Sequence, residues 1–375
     1  MKKTYLFIFI FLLMVLSLIL FLTLSKTIHK VRMVEIYALK VSCGLRHTLI
    51  LKNDGTLLVS GYNFHGALGT KDKTDRFILT KVMEDVADIS AGGYHSLVLK
   101  KDGSLWAAGN NYFGQTGYGY VDDQLEFVKV LSDVSKISAG LYTSFAIKKD
   151  GSLWATGNNS HGELGTGDYA QRHEFVKVLD NVANVSSGLS HTLVLKWDGT
   201  LLASGNNDSG QLGNSDIIQT NKFIVVASNV KAISCGRFHS VILKNDGSVW
   251  VTGFNQFGQL GTGNFQNIKN FTKVLIDVSS IFAGKDQTLI IKNDGSLWAT
   301  GYNEYGQFGI QSTKNSNVFI KIMDNVVFAS PGEGHCLLIK NDRTVWGAGN
   351  NYYGQLGYED MENKINWIQI FEYKK

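Results

Sequence analysis

An Asp-Gly pair recurs at Asp54, Asp102, Asp150, Asp198, Asp246 and Asp294, and a seventh time at Asp342, where Arg343 takes the place of the glycine; the step is always 48 residues. Other landmarks keep the same step. Gly44, Gly92, Gly140, Gly188, Gly236, Gly284 and Gly332 open the copies, and Asn63, Asn111, Asn159, Asn207, Asn255, Asn303 and Asn351 close them. A strict period of this length means that one supersecondary unit is used seven times, so the unit has to be read before any single residue.

Within a copy, a run such as His239 to Lys244 (HSVILK) is followed by Asn245, Asp246 and Gly247 and then by Ser248 to Gly253 (SVWVTG). Apolar and β-branched residues on both sides of an Asp-Gly pair signal a β-hairpin, expected here with a type I′ turn. A third run precedes the hairpin (Val230 to Ser234), and a fourth is the Phe-Val-Lys-Val stretch at Phe127 and Phe175. No window shows helical periodicity. Seven four-stranded units imply stacking in a line or in a ring; a line needs polar capping repeats, and none is present, so the expected architecture is an all-β, seven-bladed β-propeller over residues 31–375. Extra strand-like segments at Val31 to Val34 and Trp367 to Phe371 suggest that one terminus completes the blade begun by the other.

Ahead of the repeats, residues 5–24 form an uncharged apolar run of twenty behind Lys2 and Lys3. That is long enough for one transmembrane helix, and longer than the apolar core of most cleaved signals. Residues 1–30 therefore read as a signal anchor. Lys26, Lys30 and Arg32 nearly balance the charge before the run, but a short basic start before an apolar segment has the shape of an export signal, which places the propeller outside the cytoplasmic membrane. The net charge of +4 over 375 residues, without a basic stripe, gives no reason to expect nucleic-acid binding.

Comparison among the seven copies separates structural from functional positions, because a catalytic centre need not be built seven times. His47, His95, His191, His239 and His335 share one position, held by Thr143 and Gln287 in the other two copies. A metal would require several of them to converge; a structural role requires only a hydrogen bond from each imidazole to its own blade, and that reading is preferred. Trp106, Trp154, Trp250, Trp298 and Trp346 read as core between blades. Cys43, Cys235 and Cys336 lie in different copies and form no disulfide framework. No nucleotide-binding or nucleophile motif is present, so neither enzyme chemistry nor a cofactor or metal is expected.

Function should lie where the copies differ. Two pairs of positions vary, one between the opening glycine and the histidine and one just after the closing asparagine. The first pair supplies Arg46, Tyr94, Tyr142, Arg237 and Phe238; the second supplies Tyr112, Phe113, Phe257, Tyr305, Tyr352 and Tyr353. Aromatic rings with arginine in loops on a rigid scaffold have the composition of a protein-binding surface. Local packing of the rings over the glycine-rich loops is the competing explanation.

The cassette from Ile233 to Gly263 resembles the regulator of chromosome condensation repeat, with its G-x-x-H-[ST] start and G-x-N-x-x-G-x-L-G end. The end motif is met from Gly61 to Gly69 (GYNFHGALG), Gly157 to Gly165, Gly205 to Gly213, Gly253 to Gly261 and Gly349 to Gly357, while Thr116 and Phe308 replace the leucine in copies two and six. The resemblance covers residues 31–375 and implies a seven-bladed propeller. The founding eukaryotic member is a chromatin-bound exchange factor for a small GTPase, acting through a wedge inserted in one blade; no copy here carries an insertion. Bacterial members use the ring as a binding platform. The expected function is thus a membrane-tethered, monomeric ring that binds another protein, with nucleotide exchange on a small GTPase and carbohydrate binding as the alternatives.

Overall fold

The structure is a computed structural model, and it describes residues 14–17, 36–119 and 122–371. Among the described residues twenty-eight strands, numbered β1 to β28 in chain order, form seven four-stranded antiparallel sheets, each made of four consecutive strands. Blade 1 is β1 (Ala38–Cys43), β2 (His47–Lys52), β3 (Leu57–Gly61) and β4 (Arg76–Met83); blade 7 is β25 (Val326–Pro331), β26 (His335–Lys340), β27 (Val345–Gly349) and β28 (Lys364–Phe371). The result is a closed, seven-bladed β-propeller.

Alternation along the second strand explains the closure. Successive side chains of a strand point to opposite faces of its sheet, and here both faces are apolar: Leu97 and Leu99 pack toward blade 3, while Val98 packs toward blade 1. Each of the seven apolar clusters therefore draws its residues from two adjacent blades. The cluster joining Ala38, Val41 and Ile50 to Leu337, Ile339 and Leu356 closes the ring between blades 7 and 1.

Among the described residues, closure uses no exchanged strand. Blade 1 owns its inner strand and blade 7 its outer strand, so the expected completion of one terminus by the other is corrected: the repeat boundary already falls between intact blades. Val31 to Val34 lies outside the described residues, as does the expected membrane span at 5–24 apart from the helical residues 14–17. Among the described residues no helix is long and apolar enough to cross a membrane.

Side-chain bonds add to the apolar seams. Ser42 Oγ accepts from Ala91 N at 2.9 Å, Ser90 from Ala139, Ser186 from Cys235, Ser234 from Ala283 and Ser330 from Cys43, each bond crossing to the next blade. Blade 6 has Phe282 in place of the serine, and the residue it would serve is Pro331, the chain's one proline, which has no N–H to satisfy. The two departures from the repeat compensate each other, and Phe282 packs edge-on against Phe328 at 5.2 Å.

The hairpins differ from the expected turn. Gly55 N donates to Lys52 O at 3.0 Å and Gly55 has φ +90°, whereas Asn53 and Asp54 stay at negative φ. This is a three-residue loop ending in a left-handed glycine rather than a type I′ turn. Asp54 fits it by accepting from Thr56 N at 2.9 Å. In blade 7 Arg343 itself takes the left-handed position, at φ 71°.

Candidate loop face

In an antiparallel blade the connections between strands one and two and between strands three and four leave on one face, and the Asp-Gly hairpins leave on the other. Both variable pairs of positions therefore meet on a single face. The long loops there are rigid for local reasons. Asn63 is fully buried, its Oδ1 accepts from Leu68 N at 2.9 Å, and its Nδ2 donates to Thr70 Oγ1 at 2.9 Å. Gly69 has φ +65°, and a Cβ on it would lie 2.3 Å from the Phe127 ring on the outer strand of the next blade. Glycine at that position lets each long loop clamp its neighbour; the last clamp, Gly357 against Leu79, again closes the ring.

Below the loops lies a belt of imidazoles. His47 Nε2 bonds Ser96 Oγ, His95 bonds Ser144, His191 bonds Ser240, His239 bonds Thr288 and His335 bonds Thr48, at 2.9 to 3.1 Å. The histidines are structural, as expected, but each bond goes to the following blade instead of its own. The hydroxyls donate in turn to loop carbonyls, such as Ser96 Oγ to Ala67 O at 2.7 Å, so they accept from the imidazoles and the proton sits on Nε2. Burial holds His47 down to about 4 and His95, His191, His239 and His335 down to about 3. The two exceptions adapt: Thr143 reaches Thr192 through Ser187, and Gln287 donates to Gly332 O where Cys336 replaces the hydroxyl.

The rings sort by position. Directly after the closing asparagine the side chain points out: Tyr112 is 69 % exposed and Tyr352 67 %. One residue later it folds down. Phe113 packs on Tyr112 and Tyr142 with centroids 4.9 and 5.1 Å apart, Tyr353 on Tyr352 at 4.9 Å, and Phe257 on Tyr302 at 5.2 Å. Tyr94 and Phe238 are also half-buried, against Tyr62 and Phe254, and Tyr305 sits at the margin of exposure beside Tyr302. Tyr62, Phe254 and Tyr302 escaped the sequence reading. They share the position between the final strand glycine and the closing asparagine, which also varies among copies, and that variation was the available signal.

The two arginines sit on rings and against carboxylates. Arg46 lies 5.2 Å above the Tyr353 ring, donates to Tyr353 Oη at 3.1 Å and pairs with Glu333 at 3.4 Å; Lys285 pairs with the other oxygen of Glu333. Arg237 lies 5.1 Å from the Phe238 ring and pairs with Asp286 at 3.0 Å. Asp286 is only 4 % exposed, and burial pushes its carboxyl above the ordinary range against the pull of Arg237 and Lys285. Blades 5, 6, 7 and 1 thus carry an alternating arc of charge around the mouth of the central channel, which the opening glycines line. Blades 2 to 4 contribute Gly93 with Tyr94, Leu141 with Tyr142 and Leu189 with Ser190 at the same positions, and no charge. Among the described residues no group of His, Cys, Asp and Glu is placed to hold a metal ion.

Glu163 is the odd copy at a buried loop position that is Gln in blades 2, 4, 5, 6 and 7. It accepts from Asn158 Nδ2 at 2.6 Å and from His161 N at 2.8 Å, and burial raises its pKa. In blade 2 Gln115 accepts the same backbone bond and donates Nε2 to Asn110 Oδ1, so Glu163→Gln needs only a flip of the Asn158 amide. A raised carboxyl favours the folded state at low pH and loses that advantage as pH rises past the ordinary glutamate value. Glu163→Gln is therefore expected to stabilise the ring by about 1 kcal/mol at pH 7.5 and by less at pH 6, measured by denaturant unfolding at both.

A model of the RCC1-like domain matches residues 25–270, and a model of the regulator of chromosome condensation (RCC1) repeat matches residues 278–307. No curated protein matches the chain. Among solved structures, human WBSCR16 superposes with a TM-score of 0.72 at 22 % identity, covering 80 % of this chain and 85 % of that one. Yeast RCC1 (Prp20), solved bound to Kap60, gives 0.75 at 19 %, covering 88 % and 85 %. The ectodomain of the Physcomitrella patens receptor kinase CR4 gives 0.53 at 14 %, covering 84 % and 74 %.

Proposed function

The chain belongs to the RCC1-like propeller family, and from that premise we propose that it is a non-enzymatic platform that binds another protein through its loop face while residues 5–24 tether it to a membrane. The observation that carries this reading is the division of the two faces. On the hairpin face the copies repeat one another, from Lys52 to Gly55 (KNDG) to Lys292 to Gly295 (KNDG). On the loop face they diverge, and there Tyr112 and Tyr352 stand out from loops fixed by buried asparagines. Rigid exposed rings lose little entropy on docking, and tyrosine with arginine dominates the energetics of protein interfaces.

The family lends support of its own. Yeast RCC1 was solved bound to Kap60, and the similar CR4 structure is that of a receptor kinase's ectodomain. Nucleotide exchange is not proposed, because every copy is 48 residues and leaves no inserted wedge.

The test is affinity capture from cross-linked cells expressing the full chain or a variant with Tyr112→Ala, Tyr305→Ala and Tyr352→Ala. Interface tyrosines of this kind are worth about 1–2 kcal/mol each, so the triple variant should lose the captured protein, while its melting temperature stays within ~2 °C because none of the three is core. Equal recovery by the folded variant would refute the platform.

A further inference from the structure

Three hollows surround the channel mouth on the loop face, and they differ in one respect. The hollow at blades 7 and 1, about 300 Å³, contains aromatic rings, the Glu333 carboxylate and a guanidinium, that of Arg46. The hollow at blades 5 and 6, about 260 Å³, contains rings, the Asp286 carboxylate and the guanidinium of Arg237. The third and largest, about 540 Å³, spans blades 2 to 5. Its rings are Phe113, Tyr142, Phe238 and Phe254, and its carboxylate is Asp208, but among the described residues no lysine or arginine lines it.

We propose that the third hollow receives a guanidinium from the bound protein, so that an arginine of the partner completes in trans the ring, carboxylate and cation set that the chain completes in cis in the other two. The inference rests on the platform reading and names the chemistry of its partner. Asp208 is exposed and, among the described residues, forms no ion pair; Oδ2 accepts from Asn206 Nδ2 at 2.8 Å, which orients the carboxylate without neutralising its charge. Among the described residues His161 and the Tyr142 phenol are the other titratable side chains lining the hollow, and Glu163 lies behind Asn158. Cations stack on ring faces and pair with carboxylates in the same geometry, and arginine does both at once. Electrostatic complementarity therefore selects a basic group over an acidic or a neutral one. Arg46 sits on a ring of its own hollow, Tyr353, at 5.2 Å; Arg237 reaches one ring of the third hollow, Phe238, from outside at 5.1 Å while its charge pairs with Asp286, which leaves Phe113, Tyr142, Phe254 and the Asp208 carboxylate to the incoming cation.

The experiment titrates the full chain, in detergent, with a fluorescein-labelled, capped Gly-Gly-Arg-Gly-Gly peptide and with its citrulline counterpart, which keeps the shape and removes the charge. The arginine peptide is expected to bind about tenfold more tightly, with lysine between the two. Asp208→Asn, whose side chain still accepts from Asn206, should abolish the difference without changing the melting temperature. Tyr142→Ala should weaken the arginine peptide and leave the citrulline peptide nearly unchanged. Equal binding of the two peptides, or an arginine preference that survives Asp208→Asn, overturns the proposal. So does saturable binding of a neutral trisaccharide in the absence of arginine-peptide binding, which would make the hollow a sugar site. Tyr112, Tyr305 and Tyr352 do not line this hollow; a failed peptide titration beside a triple variant that still loses its partner would reject the arginine and keep the platform.

Discussion

Lowering the pH from 7 is expected to unfold the propeller in one cooperative transition centred near pH ~5, above the ordinary range in which carboxylates titrate. The cause is the imidazole belt. His47, His95, His191, His239 and His335 are buried and neutral, held to about 3 or 4 in the folded ring, while in the unfolded chain each titrates near 6.5. Below that value the unfolded chain binds more protons than the folded one, so stability falls with falling pH. Each histidine removes about 1.4 kcal/mol per pH unit once it is fully protonated in the unfolded state, and five remove roughly 7 kcal/mol per unit. A total stability of about 5–15 kcal/mol does not survive two such units. The slope of unfolding free energy against pH, from urea titrations followed by tryptophan fluorescence, should report close to five protons between pH 6 and 5. His95→Gln, copying Gln287 of blade 6, should lower that number by one. A slope near zero would mean that the imidazoles are protonated or exposed, contrary to their place between the blades.

The architecture was legible because the period constrains everything else. A 48-residue step with a hairpin in each copy dictates four strands, seven blades and a ring, and the apolar residues on both faces of each second strand dictate seven seams. What stayed hidden depended on contacts between copies, which no comparison of copies shows. The imidazoles reach the next blade because the second strands lie side by side in the ring, and the closing seam at Ala38 and Leu337 needs no exchanged strand. The turn type was misread because Asp-Gly suits both hairpin families, and only the sign of φ at the aspartate separates them.

The candidate site was legible to the level of a face. The variable pairs at Arg46 and Tyr112 fall in loops on the same side of every blade, so their convergence followed from strand order alone. Whether a ring is presented or packed did not: Tyr112 and Phe113 are chemically alike and adjacent, but only the second has the Tyr142 ring of the next blade beneath it. The charges were hidden for the same reason. Glu333, Lys285 and Asp286 are unremarkable in their own copies, and they become an alternating arc only when blades 5, 6, 7 and 1 are placed side by side.

Within that arc, Arg237→Met is expected to cost about 3 kcal/mol at pH 7.5. The loss comes less from the missing ion pair than from what remains. Asp286, at 4 % exposure, keeps a buried carboxylate whose Oδ1 already has no hydrogen-bond partner, and the nearby Glu333 adds repulsion. The pH dependence separates this cause from lost packing. Without Arg237 the carboxyl is pushed further up, so the folded variant takes up a proton that the unfolded chain takes up only near 4, and the penalty shrinks as pH falls. The difference between variant and parent should therefore narrow by about 1 kcal/mol between pH 7.5 and 6, because the histidines contribute equally to both and cancel. Adding Asp286→Asn to Arg237→Met should restore most of the stability at pH 7.5, whereas a penalty carried by the Phe238 contact alone would be independent of pH and untouched by the second substitution.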